Sequence, residues 1–95
     1  MLHTLSRSPT RCDFQLLLRS LRAGDELLLF QDGVLGALAQ SRAWAQLSQT
    51  GVAVSVLADD VAARGLSEQI VSDIAAISYT EFVAMTTRHR QQMAW

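Results

Sequence analysis

The chain has 95 residues, 49% of them hydrophobic and 18% charged, with one proline, one cysteine and a formal net charge of −1. That composition excludes a disordered segment and fits one domain, residues 1–95, whose apolar share is enough for a core with side chains to spare for a partner. A lone cysteine excludes an internal disulfide, a disulfide framework and a zinc ribbon, and the absence of lysine excludes Schiff-base chemistry and a phosphate-loop lysine.

Met1–Leu5 alternates as a short strand does, and Ser8-Pro9 supplies the turn that closes it. Between Arg11 and Arg22 the residues Phe14, Leu17, Leu18 and Leu21 recur at helical spacing, predicting an amphipathic helix capped by Asp13 or Ser8 and ended by Gly24. The unbroken run Leu27-Leu28-Leu29-Phe30 predicts a strand buried on both faces, as in parallel sheets covered by helices. Asp32 is placed to cap a helix through Val34, Leu35 and Leu38, and Ser41 to start a second helical piece carrying Trp44 and Leu47. Val52–Leu57 is the clearest strand, and Asp59-Asp60 at its end cap a short helix that stops at Gly65. Ile74–Ser78 predicts a fourth strand, Thr80 the cap of a helix through Phe82 and Met85, and Gln92–Trp95 a short fifth strand. The resulting alternation implies an α/β fold: an open, mostly parallel sheet of about five strands with helices on both faces and right-handed crossovers.

Such folds place ligands and chemistry at the carboxyl ends of the strands, here residues 6–12, 31–36, 58–61 and 78–81. Gly33-Val34-Leu35-Gly36 follows a strand but lacks the third glycine of a dinucleotide fingerprint, so its glycines read as turn and packing residues and no cofactor is expected. His3 and His89 stand far apart, Cys12 has no second ligand at metal spacing, and no metal is expected. His3 reads as a satisfied structural histidine, and His89 as part of a positively charged helix end. Cys12 is the one candidate nucleophile: adjacent Arg11 and a helix start favour its thiolate, while Asp13 opposes it and no base is placed by spacing. No serine lies in a hydrolase nucleophile elbow.

Charge is uneven, +3 over residues 1–24, −6 over 25–81 and +2 in the tail, which argues against direct nucleic-acid binding. No apolar run is long enough to span a membrane and no signal sequence is recognisable, so a cytoplasmic location is expected. Leu16, Phe30, Trp44, Met85, Met93 and Trp95 are the apolar residues most available to a partner, with Phe30, Trp44 and Trp95 the interface candidates.

Five stretches taken in order, Met1–Pro9, Gly24–Val34, Ala63–Leu66, Tyr79–Val83 and Gln92–Trp95, resemble the TusB/DsrH family from end to end. The opening Met1-Leu2-His3-Thr4-Leu5 and the closing Gln92-Met93-Ala94-Trp95 point to its TusB branch, which serves tRNA thiolation, more than to the branch of dissimilatory sulfur oxidation. The resemblance implies a non-catalytic subunit of a TusB-TusC-TusD complex, a heterohexamer built as a dimer of heterotrimers with TusC-like and TusD-like partners. It implies persulfide sulfur passing from a TusA-like carrier through the TusD-like subunit, which holds the transferring cysteine, to a TusE-like carrier and on to 2-thiouridine at the tRNA wobble position. No catalytic residue carries over. Cys12 departs from the family pattern as a sulfur-carrying position, and a carrier role for Cys12 itself is the alternative.

Overall fold

The computed structural model describes all 95 residues, Met1–Trp95, and the apolar runs become five strands: β1 (Leu2–Leu5), β2 (Glu26–Leu29), β3 (Ala53–Leu57), β4 (Ala75–Ile77) and β5 (Gln92–Ala94). Helices α1 (Phe14–Ser20), α2 (Arg42–Ser48), α3 (Ala58–Ala63) and α4 (Tyr79–Arg88) connect them. Every strand pairing is parallel, in the order β4-β3-β2-β1-β5. The open parallel sheet of five strands expected from the sequence is therefore observed.

The strand order explains the layering. From β1 to β4 the chain steps one strand at a time in one direction, and the return to β5 reverses across β1. Right-handed crossovers then put the first three helices on one face and the fourth on the other. Packing agrees: Phe14 and Leu17 of α1, Leu47 of α2 and Val61 of α3 join Leu5, Leu27, Leu29 and Val56 in a first core. Met85 of α4 packs on Leu2, Leu28 and Ile77 in a smaller second one, with Phe30 and Phe82 at its margin. Met85 is thus a core residue, and its expected availability to a partner is corrected.

Several helix starts also differ from expectation. Asp13 does cap α1, its Oδ1 accepting from the Leu16 N–H at 3.0 Å, and Ser41 caps α2 through the Trp44 N–H at 3.1 Å. Asp32 caps nothing, because residues Gln31–Ala37 form a tight 3-10 segment entered through an extended Phe30, and its carboxylate turns to Arg64 instead, 3.0 Å away. Asp59 and Asp60 lie inside the first turn of α3, where they favour the helix dipole without capping it. The cap of α4 is Ser78 rather than Thr80: Ser78 and Glu81 exchange reciprocal bonds of 3.1 and 3.0 Å in a capping box.

Gly33 has a specific steric duty. A Cβ built on it would lie 2.0 Å from the backbone oxygen of Leu5, so only glycine lets the 31–37 segment press onto the end of β1. Gly36 is less constrained, since a Cβ there would meet Pro9 Cγ at 3.5 Å, an ordinary contact.

The amino end of the sheet is held by a buried polar cluster. His3 is 1% exposed, and its Nε2–H donates to Asp25 Oδ2 at 2.9 Å. The Trp95 indole Nε1–H donates to His3 Nδ1 at 3.1 Å, and because an indole N–H can only donate, the imidazole is fixed as the neutral Nε2–H tautomer. Asp25 also accepts from the Met1 ammonium at 3.0 Å and the Arg22 N–H at 2.9 Å. Burial pushes the Asp25 carboxyl up, but these donors outweigh it and bring it down to about 2. The satisfied structural histidine read from the sequence is what the fold contains.

Two outcomes follow for stability. Gly33→Ala should destabilise by at least about 3 kcal/mol, through backbone displacement at Leu5, whereas Gly36→Ala should stay within about 1 kcal/mol of the parent; denaturant titration of both compares them directly. Because the folded-state value of Asp25 is depressed, its stabilisation is complete above the ordinary value of 3.8 and fades as pH falls through about 2. Asp25→Asn should therefore lower stability at neutral pH and flatten the acid limb between those two values, as read from denaturation midpoints against pH.

Candidate functional site

With all strands parallel, the connections after β1, β2, β3 and β4 emerge at one edge of the sheet. Gly33 and Gly36 bring two of them together, so the link leaving β1 and the 31–37 segment face each other across an open cleft of roughly 710 Å3. Its lining is Ser6, Arg7, Ser8 and Arg11 on one side and Asp32 and Leu35 on the other. Gln31 enters the second side with φ 50, a left-handed conformation held by its N–H bond to Asp60 Oδ2 at 2.6 Å. Arg64 bonds Asp32 through Nε and an Nη at 3.2 and 3.0 Å.

The glycines expected to relax a turn are used on the chain itself. Gly33 sits against the Leu5 carbonyl, and Gly36 lies among Pro9, Leu29 and Leu47, so neither exposes backbone to a pyrophosphate.

Cys12 lies between the Pro9–Arg11 turn and α1, half-buried against the first core. Its Sγ approaches the Pro9 carbonyl oxygen at 3.9 Å, a weak S–H donor contact. Burial pushes the thiol above its ordinary value of 9.0, Arg7 pulls it down, and Asp13 adds to the rise. The expected help from Arg11 comes from Arg7 in space, and it does not prevail. Neither histidine serves as a base for Cys12, since His3 is bonded to Asp25 and Trp95 at the other end of the sheet and His89 bonds Glu26 at 2.9 Å. No group of three His, Cys, Asp or Glu side chains converges on one point that could hold a metal.

The interface candidates do not form one patch. Phe30 is half-buried beside Phe82 on the second face, with ring centroids 5.9 Å apart. Trp44 lies on the first side, lining a groove with Val52, Val54 and Ile74 near β3 and β4. Trp95 is at the opposite edge, stacked over His3 with centroids 6.2 Å apart. Leu16 and Met93 are exposed as expected. Tyr79 and Val83, 63% and 45% exposed on the outer side of α4, were not among the sequence candidates. Their i, i+4 spacing is the signal for an exposed apolar stripe that adjoins the core side of the helix at Phe82, against which the Tyr79 ring packs edge-on with centroids 6.0 Å apart. No helix of the chain is long and apolar enough to cross a membrane.

Comparison with known proteins places this architecture. Residues 7–92 match the family described as DsrH like protein. The chain is 54% identical over 95 residues to Protein TusB of Cronobacter sakazakii and 52% identical to Protein TusB of Shigella flexneri, in each case covering 100% of both chains. Among solved structures it resembles protein Tm0979 of Thermotoga maritima, with a TM-score of 0.68 and 28% identity over 96% of this chain and 97% of that one. The ychN protein of E. coli shares the fold at a TM-score of 0.76 and 13% identity, covering 99% and 97%. With residues 7–92 of this chain matched by the family and the relatives more than half identical over all 95 residues, the chain belongs to the TusB/DsrH family.

Proposed function

We propose that this chain works in the sulfur relay that leads to 2-thiolation of the tRNA wobble uridine, as a non-catalytic subunit of a TusB-TusC-TusD complex. The observation that carries the reading is full-length identity of 52–54% to proteins named TusB, with neither chain extending past the other. In such a relay an acceptor cysteine thiolate attacks the outer sulfur of a donor persulfide, the donor S–S bond breaks, and the donor leaves as a thiolate. The proposed role of this chain is to support that exchange from outside. Its strands β3 and β4 are followed by Ala58-Asp59-Asp60 and Ser78-Tyr79-Thr80, with no thiol to accept sulfur.

Cys12 is a poor acceptor for a physical reason: its half-buried thiol is pushed up and has no base. The exposed Leu16, Tyr79, Val83 and Met93, with Phe30, Trp44 and Trp95, supply apolar surface for TusC-like and TusD-like neighbours in a dimer of heterotrimers. TusA-like and TusE-like carriers would meet the assembly through the TusD-like subunit, in the cytoplasm.

Co-expression with TusC-like and TusD-like chains under reducing conditions should yield a stable complex on affinity capture; three chains that elute separately would remove the proposal. Within the complex, Cys12→Ser should leave transfer of radiolabelled sulfur to a TusE-like acceptor at the parental rate. Loss of transfer would instead make Cys12 the carrier.

A further inference from the structure

The cleft at the carboxyl edge has a chemistry that the relay reading does not use. It begins immediately after β1, the strand at which the sheet order reverses, and open α/β sheets bind ligands near such points. Of its six lining residues only Leu35 is hydrophobic, which disfavours an apolar or nucleobase-rich ligand. Arg7 precedes the Pro9–Arg11 turn and Arg11 ends it; the closing bond from the Arg11 N–H to the Ser8 carbonyl oxygen measures 2.8 Å, and both arginines line one wall of the cleft.

The charges in and around the cleft are unequally engaged. Arginine ion pairs in this chain belong to Arg64 and Arg88, and the guanidinium groups of Arg7 and Arg11 make none. Asp32, the one carboxylate in the lining, is held by Arg64. The neighbouring acids are also occupied: Asp60 accepts from the Gln31 N–H and lies 3.9 Å from Arg64, and Asp13 caps α1. Ser6 Oγ makes only a long 3.5 Å contact to the Trp95 carbonyl oxygen and can turn into the cleft, while Ser8 Oγ, held in place by accepting from the Thr10 N–H, has its own O–H to donate when Thr10 Oγ1–H donates to it. Two free planar guanidinium groups with hydroxyl donors beside them match a tetrahedral oxyanion, to which arginine offers paired N–H donors.

We propose that this cleft is an anion-binding site for a phosphate group, held between Arg7 and Arg11 with Ser6 and Ser8 as supporting donors. Its volume falls in the range of small-molecule sites, so the group is carried on a small polar molecule such as a sugar phosphate. The proposal does not depend on the sulfur-relay reading.

The test is a titration of the full chain, with any partners that co-purify, using inorganic phosphate and, separately, ribose 5-phosphate at constant ionic strength set by chloride. Amide NMR shifts should saturate and be confined to residues 6–12 and 31–36. Arg7→Gln with Arg11→Gln should weaken binding about tenfold or more, the loss expected for two charge-assisted contacts, without changing the thermal midpoint in phosphate-free buffer. Arg19→Gln with Arg22→Gln, which removes two unpaired arginines elsewhere, should leave it unchanged. Tighter binding of ribose 5-phosphate than of phosphate supports the sugar-phosphate assignment, and equal binding limits the site to the bare anion and overturns that part. Shifts no greater than with chloride, equal losses in both double variants, or a response to a short RNA but not to phosphate would each overturn the site.

Discussion

The contact between Gly33 and the carbonyl of Leu5 sets the geometry on which the carboxyl edge depends. The Leu5 oxygen accepts the Phe30 N–H at 3.0 Å, and the space a side chain on Gly33 would need is filled by the same carbonyl. Strand pairing and close packing therefore meet at one atom. From that point β1 runs into the Ser6–Arg11 link and β2 into the 31–37 segment, so their separation, and with it the width of the cleft, follows from a missing methyl group. The positive φ of Gln31 is the backbone cost of turning the chain sharply enough to make this approach. Its N–H bond to Asp60 ties the same turn to α3, and Arg64 at the end of that helix returns to Asp32. Three connections are thereby braced against one another, which keeps the charged walls of the cleft apart from the core below them.

The two ends of the sheet contrast in how they treat polar groups. Asp25 at the amino end holds His3, the indole of Trp95 reaches back from the far end of β5 to the same ring, and no buried side-chain nitrogen or oxygen is left without a partner. Such a closed network rigidifies but offers nothing to a substrate. Glu26 adds a second clamp nearby. Burial pushes its carboxyl up, but bonds from His89 and Arg88, at 2.9 and 3.1 Å, hold it below the usual carboxylate range and fasten the end of α4 to the start of β2. At the carboxyl end, Arg7 and Arg11 make no ion pair and line an open cleft together.

The elements were legible in the sequence because each strand and most helices carry local signals: period, glycine stops and side-chain caps. Misplaced caps have a common cause. Asp32 and Thr80 are good cap types in the right neighbourhood, but a 3-10 segment claimed the first and the stronger Ser78–Glu81 reciprocity displaced the second. The site was harder to read because its relations are not local. Gln31 meets Asp60 across 29 residues and Asp32 meets Arg64 across 32, and no periodicity encodes either contact. Cys12 shows the same limit: its chain neighbour Arg11 suggested an activated thiol, whereas burial and the spatial neighbour Arg7 decide the balance, and burial wins.

The second face of the sheet explains where the surplus apolar side chains of so short a chain end up. A helix is about 10 Å across while strands repeat at about 4.8 Å, so one helix shields roughly two strands of five. Reversal of the strand order at β1 allots that face a single helix, α4. It covers Leu2, Leu28 and Ile77, leaving Ala53 and Ala75 exposed on the flank formed by β3 and β4. Small side chains there lose little by remaining in water, because apolar cost scales with area. The large exposed groups, Tyr79 and Val83, stand instead on the outer side of α4. The face thus has a ridge of bulky residues beside a shallow floor of alanines. For a subunit of the proposed complex, that relief is the shape a neighbour would have to match, with the ridge giving the larger gain per residue and the floor the closer backbone approach.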